Sequence, residues 1–240
     1  MEIIDIHSHV LPGVDDGSQS MVESINMLSI AQENAITTII LTPHNKPARH
    51  NVHTPSMEVR MEQLRKNMEI SGIQIQLVGG NELYYRNGIV EEIRSGMART
   101  MADSQYVLVE FGPMEPYEYL RNGLYEFLAG GYFPILAHIE RYQCLFEQFS
   151  KIEELINMGV YLQVNSGSIM GGFGFRTKRF TRKLLKRRMI HFIATDAHNT
   201  ENRAPNLKSC AEYVIRKYGK EYAAELLLKN PKHVLENEII

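Results

Sequence analysis

Short runs of β-branched and aliphatic residues alternate along the chain with longer amphipathic stretches. The short runs predict seven strands, at residues 3–6, 37–41, 73–78, 106–109, 134–137, 160–164 and 191–194. Apolar residues spaced three and four positions apart predict helices at residues 21–34, 56–70, 117–129, 152–158 and 177–188. Strands that alternate with helices are typical of a parallel sheet with helical crossovers. We therefore expect an α/β fold.

The pattern leaves open whether the parallel sheet closes on itself. No linker, low-complexity tract or internal repeat divides the 240 residues, so we expect a single domain over residues 1–240. Such a domain with seven strand and helix units favours a barrel-like α/β fold. A flat, doubly wound sheet is the alternative, because short apolar runs identify strands without revealing closure.

Composition and charge exclude several classes of protein. Lys and Arg number 26 and Asp and Glu number 28, so the net charge of −2 gives no overall attraction for nucleic acid or anionic membranes. The two cysteines, Cys144 and Cys210, provide neither a disulfide framework nor a CxxC metal motif, which fits a reducing compartment. No apolar run approaches the roughly 20 residues that span a bilayer. We expect a cytoplasmic protein that does not insert into membranes.

Histidines and carboxylates stand at the carboxyl ends of six of the predicted strands. They are His7, His9, His44, Glu82, Glu110, His138, Asp196 and His198, and the loop after the first strand adds Asp15 and Asp16. In a closed barrel these ends form one rim, where α/β barrels place their active sites, whereas an open sheet would spread the residues apart. Their distribution therefore favours the barrel.

A single histidine near a strand end is more often a hydrogen-bonded polar group than a metal ligand. Eight candidates on one rim are different, because buried imidazoles and carboxylates would stay unpaired or repel one another without cations. Imidazole and carboxylate ligands without thiolate suit manganese, iron, zinc or cobalt. The remaining histidines outside this pattern, for which we expect solvated or packing roles, are His50, His53, His191 and His233.

Several motifs also occur in the order found in one known superfamily. They are Asp5-Ile6-His7-Ser8-His9, Asp15-Asp16-Gly17, Thr42-Pro43-His44, Glu82, Glu110-Phe111, Ala137-His138-Ile139-Glu140-Arg141 and Thr195-Asp196-Ala197-His198-Asn199. With them the chain resembles the polymerase and histidinol phosphatase (PHP) superfamily over nearly its whole length. More narrowly, it resembles the bacterial capsule and exopolysaccharide tyrosine phosphatases.

The resemblance implies a distorted seven-stranded TIM-like barrel with up to three metal ions, usually manganese. It also implies a protein-tyrosine phosphatase that acts on the tail of a bacterial tyrosine autokinase regulating capsule or exopolysaccharide synthesis. A small-molecule phosphatase of histidinol-phosphate type is the nearest alternative, because the same ligands would serve both substrates. A non-catalytic docking protein of the same fold is a second alternative.

Individual roles follow from the resemblance as well. It implies a first ion held by His7, His9, Glu82 and Asp196, a second held by Glu82, Glu110 and His138, and a third held by Asp16, His44 and His198. The assignment of Asp16 competes with its neighbour Asp15. Arg141 and Arg203 match positions that bind phosphate, and guanidinium groups suit phosphate oxygens. The alternative for each arginine is a surface ion pair.

The chain departs from the family's pattern in the loop at residues 45–49, so substrate contacts there stay open. Residues 171–179 follow the sixth predicted strand and combine glycines with Arg176, Lys178 and Arg179. This segment is interpreted either as a basic lip that receives an acidic peptide or as the solvated start of a helix.

Cys210 and Arg216 have the C-x5-R spacing of cysteine-dependent tyrosine phosphatases. The five residues between them contain no glycine for a phosphate-binding loop, and residues 207–218 have the pattern of a continuous amphipathic helix. We therefore expect Cys210 to be a buried, unreactive thiol.

Overall fold

Parallel strands form two hydrogen-bonded sheets in the computed structural model, which describes residues 1–46 and 54–240. The strands are β1 Ile3–Ser8, β2 Ile36–Leu41, β3 His44–Asn45, β4 Gln76–Gly79, β5 Glu82–Tyr84, β6 Tyr106–Glu110, β7 Phe133–Leu136, β8 Tyr161–Asn165 and β9 Phe192–Ala194. The first sheet has the order β1-β2-β4, and the second has the order β3-β5-β6-β7-β8-β9.

Helices connect the strands, as expected for parallel pairing. They are α1 Met21–Glu33, α2 Thr54–Ile70, α3 Ile89–Arg94, α4 Tyr117–Ala129, α5 Phe149–Asn157, α6 Ser166–Met170, α7 Phe175–Lys186, α8 Lys208–Tyr218, α9 Lys220–Ala224 and α10 Asn230–Glu236. Helix α1 begins where the Ser20 hydroxyl accepts a hydrogen bond from the Glu23 N–H at 3.2 Å, which caps its first turn. Among the described residues, no helix has the length and apolar character that crossing a bilayer requires.

All seven predicted strands are present, and after two of them the strand breaks for two residues and resumes as a short strand that was not predicted. The predicted second strand ends at Leu41, and a separate short strand, β3, follows after Thr42 and Pro43. The predicted third strand starts three residues late, at Gln76, and is followed after two residues by β5. Proline has no N–H to donate to a ladder, which explains the break at Pro43.

The two links between the broken strands are tied to each other. The Glu82 N–H and the Asn81 side-chain amide both donate to the Pro43 carbonyl, at 3.1 and 3.0 Å. These bonds hold β3 beside β5 with His44 directly opposite Glu82. Two residues that sequence reasoning placed on separate strands are thereby brought side by side.

The sheets curl so that the first strand meets the last. The Asp196 N–H donates to the His7 carbonyl at 2.8 Å, and the His9 N–H donates to the Ala197 carbonyl at 2.9 Å. This contact is incompatible with a flat sheet that keeps β1 and β9 on distant edges. The molecule is an α/β fold on a curled parallel sheet, and the carboxyl ends of its strands surround one area.

Apolar side chains divide into two clusters. The larger cluster lies between strands and helices, and the smaller one joins inward-facing residues of several strands, including Ile6, Leu108, Ile135 and Phe192, with Val234 of α10. At the amino end of β6, the Tyr106 hydroxyl donates to the Glu238 carbonyl at 2.7 Å. The carboxyl-terminal residues therefore cover the amino ends of the strands, and the polar residues gather at the opposite ends.

The packing of α4 predicts an unusual response to a glycine substitution. A Cβ atom on Gly123 would lie 2.7 Å from the Tyr85 ring and 2.8 Å from the Phe111 ring. In a helix alanine is ordinarily favoured over glycine by about 1 kcal/mol, but overpacking costs about 1 to 3 kcal/mol. We expect Gly123→Ala to lower the free energy of unfolding by up to about 2 kcal/mol in denaturant titrations.

Asn122→Ala is the matched control for that substitution, because it adds the same residue to an exposed position of the same helix. It should leave stability unchanged or raise it slightly. A stabilised Gly123→Ala variant would contradict the close packing of α4 on Tyr85 and Phe111.

Candidate metal centre

The structure brings the predicted metal-binding residues to the carboxyl ends of the strands. His7 and His9 come from the end of β1, His44 from β3, Glu82 from β5, Glu110 from β6, and His138, Asp196 and His198 from the residues after β7 and β9. Most of their side chains are buried, with His7, His9 and Glu82 at 0% exposure. The exception is Asp16, whose side chain is 48% exposed.

Four of these residues point their ligand atoms at one place. His7 Nε2 lies 3.2 Å from His9 Nε2, 3.4 Å from Glu82 Oε1 and 3.4 Å from Asp196 Oδ1. His9 Nε2 lies 3.4 Å from Glu82 Oε2 and 3.5 Å from Asp196 Oδ1. Ligands at about 2.0 to 2.1 Å from a tetrahedral ion are about 3.3 to 3.4 Å apart, so the spacing fits a first-row divalent ion.

A second group forms on the other side of Glu82. His138 Nε2 lies 2.9 Å from Glu82 Oε1 and 3.7 Å from Glu110 Oε1. Glu82 therefore directs one oxygen toward His7 and His138 and the other toward His9 and His44. A carboxylate shared in this way is suited to bridge two ions.

His44 occupies a position between two groups of acids. Its Nδ1 atom lies 2.7 Å from Glu82 Oε2, and its Nε2 atom lies 3.2 Å from Asp16 Oδ1. His198 Nε2 lies 3.7 Å from the same Asp16 oxygen. The geometry thus places His44 and His198 near Asp16, as the resemblance implies, but it also places His44 against Glu82.

Two residues outside the predicted ligand sets orient the histidines: Gln163, which the sequence did not single out, and Asp15, which was predicted as the competitor of Asp16. Asp15 Oδ2 lies 2.7 Å from His9 Nδ1 and accepts the His44 N–H at 3.0 Å. Gln163 Oε1 lies 3.2 Å from His7 Nδ1 and accepts the His138 N–H at 2.8 Å. An acceptor at Nδ1 places the proton there and leaves Nε2 free to bind a metal. Asp15 is therefore a partner of His9, and Asp16 is the carboxylate that faces His44.

The hydrogen bonds from Gln163 continue to the opposite wall of the site. Its amide donates to Asn165 Oδ1 at 2.8 Å, and Asn165 Nδ2 donates to Asp196 Oδ2 at 2.9 Å. The buried carboxylate of Glu140 accepts the Asn165 N–H at 3.0 Å. Strand β8, which contributes none of the predicted ligands, thus supports residues on both of its neighbours. The sequence signal was the polar pair Gln163 and Asn165 inside an apolar strand.

Two of the predicted ligands have backbone conformations that L-residues adopt rarely. His138 has a φ of 32° and Asp196 has a φ of 53°. Such left-handed conformations cost about 1 to 2 kcal/mol for a residue with a side chain. They persist here because Gln163 binds the His138 N–H and the His7 carbonyl binds the Asp196 N–H. Strain at such positions is typical of functional sites.

Arg141 and Arg203 both contact the centre through one acid. Each Nη2 atom lies 2.6 Å from Asp196 Oδ2, and the two side chains are 32% and 28% exposed. Both are therefore in reach of solvent and of a candidate ligand at the same time. They are not isolated surface ion pairs, because their common partner is a buried residue of the site.

Burial and neighbouring charges shift the pKa values of the residues at the centre in opposing directions. Burial opposes the charge on Glu82, but His7 and His44 hold the pKa of its carboxyl well below the usual range. Burial and then Arg141 lower the pKa of His138 to about 4. Burial and the neighbouring Glu82 raise the pKa of Glu110, which Lys46 contacts at 2.6 Å. Several buried carboxylates thus share a few positive groups.

The bonding of the innermost atoms is also incomplete. Among the described residues, no hydrogen bond reaches Glu82 Oε2 or His44 Nδ1, although the two atoms lie 2.7 Å apart. Buried polar atoms are rarely left without partners. A divalent cation would engage the lone pairs of both, so the donor set fits a metal centre.

The histidines outside the predicted ligand sets and the loop at residues 45–49 can also be compared with the predictions made from the sequence. His191 is largely buried, its Nδ1 accepts the Leu162 N–H at 3.0 Å, and burial lowers its pKa to about 4, which agrees with a packing role. His233 is half-buried, and its Nδ1 atom lies 3.1 Å from the Ile239 carbonyl. In the loop at 45–49, residues 45 and 46 are described, whereas residues 47–49, His50 and His53 lie outside the described residues.

Cys210 behaves as expected for a buried thiol. It lies within α8 at 0% exposure, and burial raises its pKa to about 12. A thiol with so high a pKa is not a nucleophile near neutral pH. The cysteine and Arg216 belong to one continuous helix, so no phosphate-binding loop connects them.

Comparisons with known proteins place this geometry in context. Residues 3–236 match the family model described as capsular polysaccharide synthesis, CpsB/CapC. The tyrosine-protein phosphatase CpsB of Streptococcus pneumoniae is 31% identical over 243 residues, which cover 99% of this chain and 100% of the relative. The tyrosine-protein phosphatase YwqE of Bacillus subtilis is 31% identical over 234 residues, covering 95% and 92%.

A solved structure is also similar to this chain in sequence and fold. It comes from work on YwqE of Bacillus subtilis and CpsB of Streptococcus pneumoniae, which are described as unique metal-dependent tyrosine phosphatases. It matches with a TM-score of 0.93 and 30% identity, and the match covers 99% of this chain and 96% of that one.

The supporting role of Gln163 is testable. Gln163→Leu removes the acceptor that fixes the His7 ring and the His138 backbone, so we expect metal affinity to fall by about 10- to 100-fold. Calorimetric titration of metal-stripped protein measures this change directly. Gln76→Leu makes the same change at an exposed site on β4 and should leave affinity unaltered. Equal metal affinities for the two variants would show that Gln163 does not support the metal site.

Proposed function

The chain belongs to the CpsB/CapC family of capsular polysaccharide synthesis, and we propose that it is a metal-dependent protein-tyrosine phosphatase. The observation that carries the proposal is the cluster of His7, His9, Glu82 and Asp196, whose ligand atoms lie 3.2 to 3.5 Å apart. Two half-buried arginines stand at its edge. A buried cation site with guanidinium groups beside it is suited to a phosphate ester.

The proposed site holds up to three ions, with manganese as the expected metal. His7, His9, Glu82 and Asp196 would hold the first ion, Glu82, Glu110 and His138 the second, and Asp16, His44 and His198 the third. Nitrogen and oxygen ligands without sulfur support manganese, and iron, cobalt and zinc are the competitors. The exposure of Asp16 makes the third position the most open to solvent.

Each group in the site has a proposed part in hydrolysis. Bound divalent ions acidify water and offset negative charge on a phosphoryl group. Arg141 and Arg203 turn from Asp196 toward the phosphate, where their planar groups pair with its oxygens. Asp15 and Gln163 keep His9 and His7 in the tautomer that points Nε2 at the centre. The tyrosine side chain is a good leaving group, since its reference pKa is about 10.

The rest of the chain supports the same interpretation. We infer that the two sheets together form one distorted seven-stranded barrel, in which β2 continues into β3, β4 continues into β5, and β9 lies beside β1. In this view residues 1–240 are a single PHP-type metallophosphatase domain. The proposed protein substrate is the phosphotyrosine-bearing tail of a bacterial autokinase, because relatives of this chain are tyrosine phosphatases within a capsule synthesis family.

Removal of metal should abolish activity. We expect chelation to eliminate hydrolysis of an aryl phosphate, and manganese, cobalt or iron to restore it. In the metal-loaded protein, Glu82→Ala should reduce kcat by at least about 100-fold, because it removes a ligand shared by two ions. Cys210→Ala should change kcat less than about twofold. Full activity of verified metal-free protein, or a folded but inactive Cys210→Ala variant, would overturn the mechanism.

The substrate preference gives a second test. We expect a higher kcat/KM for a phosphotyrosine peptide than for phosphoserine or phosphothreonine peptides of the same sequence. The ligands lie at the strand ends below surrounding loops, and a phosphate on a phenol reaches further than one on a serine methylene. A free aryl phosphate in the comparison separates recognition from leaving-group ability. Faster hydrolysis of phosphoserine peptide, or of histidinol phosphate, would refute the tyrosine assignment.

A further inference from the structure

A cleft of about 1010 Å³ opens directly beside the metal centre. Its wall includes Arg141, which contacts Asp196, together with Phe146, Phe173, Phe175 and Arg176. Phe175 also lines a second cleft of about 580 Å³ that follows α7. The two clefts therefore meet at Phe175, one beside the candidate phosphate-binding arginine and the other along the exposed face of that helix, and together they are called the path below.

The path is strongly basic. Residues 175–188 contain eight Lys and Arg residues and no Asp or Glu, although the whole chain has a net charge of −2. Lys183 pairs with Glu147, and Arg188 lies 3.7 Å from Glu225. Within residues 1–46 and 54–240, no ion pair engages Arg176, Lys178 or Arg179. The cations at the start of α7 are thus not neutralised by ion pairs with acids of the described residues.

The position of these charges in the helix is unfavourable for the isolated chain. Arg176 and Lys178 lie in the first turn of α7, where the helix dipole favours negative charge and opposes positive charge. Glu147 lies close enough for Arg176 and Arg179 to lower its pKa, after the larger effect of Lys183. One carboxylate does not balance this many cations, and the arrangement is suited to acidic groups supplied by another molecule.

The one acidic residue in the wall of the larger cleft does not change the sign of the charge. Glu140 is 4% exposed, and its carboxylate accepts the Asn165 N–H at 3.0 Å. The cleft therefore presents guanidinium and aromatic groups to a ligand.

Aromatic residues give the path a second kind of contact. Phe175 is 78% exposed and Phe173 is 47% exposed, and the guanidinium of Arg141 lies 5.7 Å from the centre of the Phe173 ring. Exposed aromatic side chains beside arginine are enriched at protein interfaces. An extended peptide could rest its side chains on the rings while its acidic groups face Arg176 and Arg179.

From these observations we propose that the path is a docking site for acidic residues that flank the phosphotyrosine of the protein substrate. The inference rests on the proposed phosphatase function. From Arg176 to Lys186 the helix rises by about 15 Å, which equals about four or five residues of extended peptide. The preferred substrate therefore has Asp or Glu within about six positions of the phosphotyrosine on one side.

An anionic membrane is the other surface that basic and aromatic residues suit. The structure favours the peptide, because the apolar side chains of α7, such as Phe180, Leu184 and Leu185, are buried in the core and unavailable for insertion. The concave shape of the clefts also suits a chain more than a flat surface. Their continuity with Arg141 joins the path to the reacting phosphate.

Kinetics on matched peptides test the docking site. Each peptide carries one phosphotyrosine and four Glu or four Gln residues, on the amino side in one pair and on the carboxyl side in another. At low salt we expect the manganese-loaded protein to prefer one Glu peptide over its Gln partner by at least about fivefold in kcat/KM. The preference should fall toward one as salt screens the charges. Absence of preference in both pairs would overturn the proposal.

Charge-matched variants identify the surface. Arg176→Gln/Arg179→Gln should reduce the Glu preference below about twofold while hydrolysis of a free aryl phosphate stays within about twofold. Lys66→Gln/Arg94→Gln removes two exposed charges from α2 and α3 and should retain the preference. If both double variants lose the Glu preference equally, the preference comes from net charge and not from a specific docking cleft.

Aromatic variants and a binding assay complete the design. Phe175→Ala should lower kcat/KM for both peptides of the preferred pair but not for the aryl phosphate, whereas Tyr125→Ala, also exposed, should have no effect.

Fluorescence anisotropy of labelled Glu and Gln peptides, with Phe in place of the phosphotyrosine, measures docking without turnover. If the protein binds the Glu peptide selectively but hydrolyses none of the substrates, the proposed phosphatase activity is refuted and the docking site is still supported. Unchanged peptide selectivity in Arg176→Gln/Arg179→Gln, with loss of binding to anionic vesicles, would assign the surface to membranes.

Discussion

The concentration of buried carboxylates and imidazoles at one end of the curled sheet is the constraint on which the rest of the site depends. Glu82 is fully buried, and four histidines, His7, His9, His44 and His138, lie within 3.4 Å of its carboxylate. Burying charge without compensation is expensive. Divalent ions at the proposed site would resolve the conflict, and the same ions would provide the chemistry of phosphate hydrolysis. Stability and activity of the site thus have a common origin.

Support for this centre comes from residues that do not bind metal themselves. Asp15 and Gln163 set the tautomers of His9 and His7, and Asn165 holds one oxygen of Asp196. Arg141 and Arg203 hold that oxygen too, which ties the part-exposed edge of the site to its buried interior. Asp196 thus fixes where both arginines lie, at the edge of the site.

Much of this arrangement was accessible from the sequence, and the failures have physical reasons. Periodicity identified the strands because their apolar runs are short and bounded, and it placed Glu82 and Asp196 at strand ends. It did not reveal β3 and β5, since strands of two or three residues carry no periodic signal. Gln163 was missed because its role depends on residues 25 and 156 positions away, His138 and His7. The pairing of Arg141 and Arg203 on one oxygen likewise depends on distant backbone geometry.

The two-residue links inside the broken strands have a consequence for how such sequences can diverge. Thr42 and Pro43 lead into β3, Gly80 and Asn81 lead into β5, and His44 is in register with Glu82. Because side chains alternate along a strand, one inserted residue in either link would turn His44 or Glu82 to the opposite face. Lineages that keep this chemistry should therefore tolerate substitutions in the links but purge insertions and deletions. The number of residues in each link is then inherited as strictly as the ligands themselves.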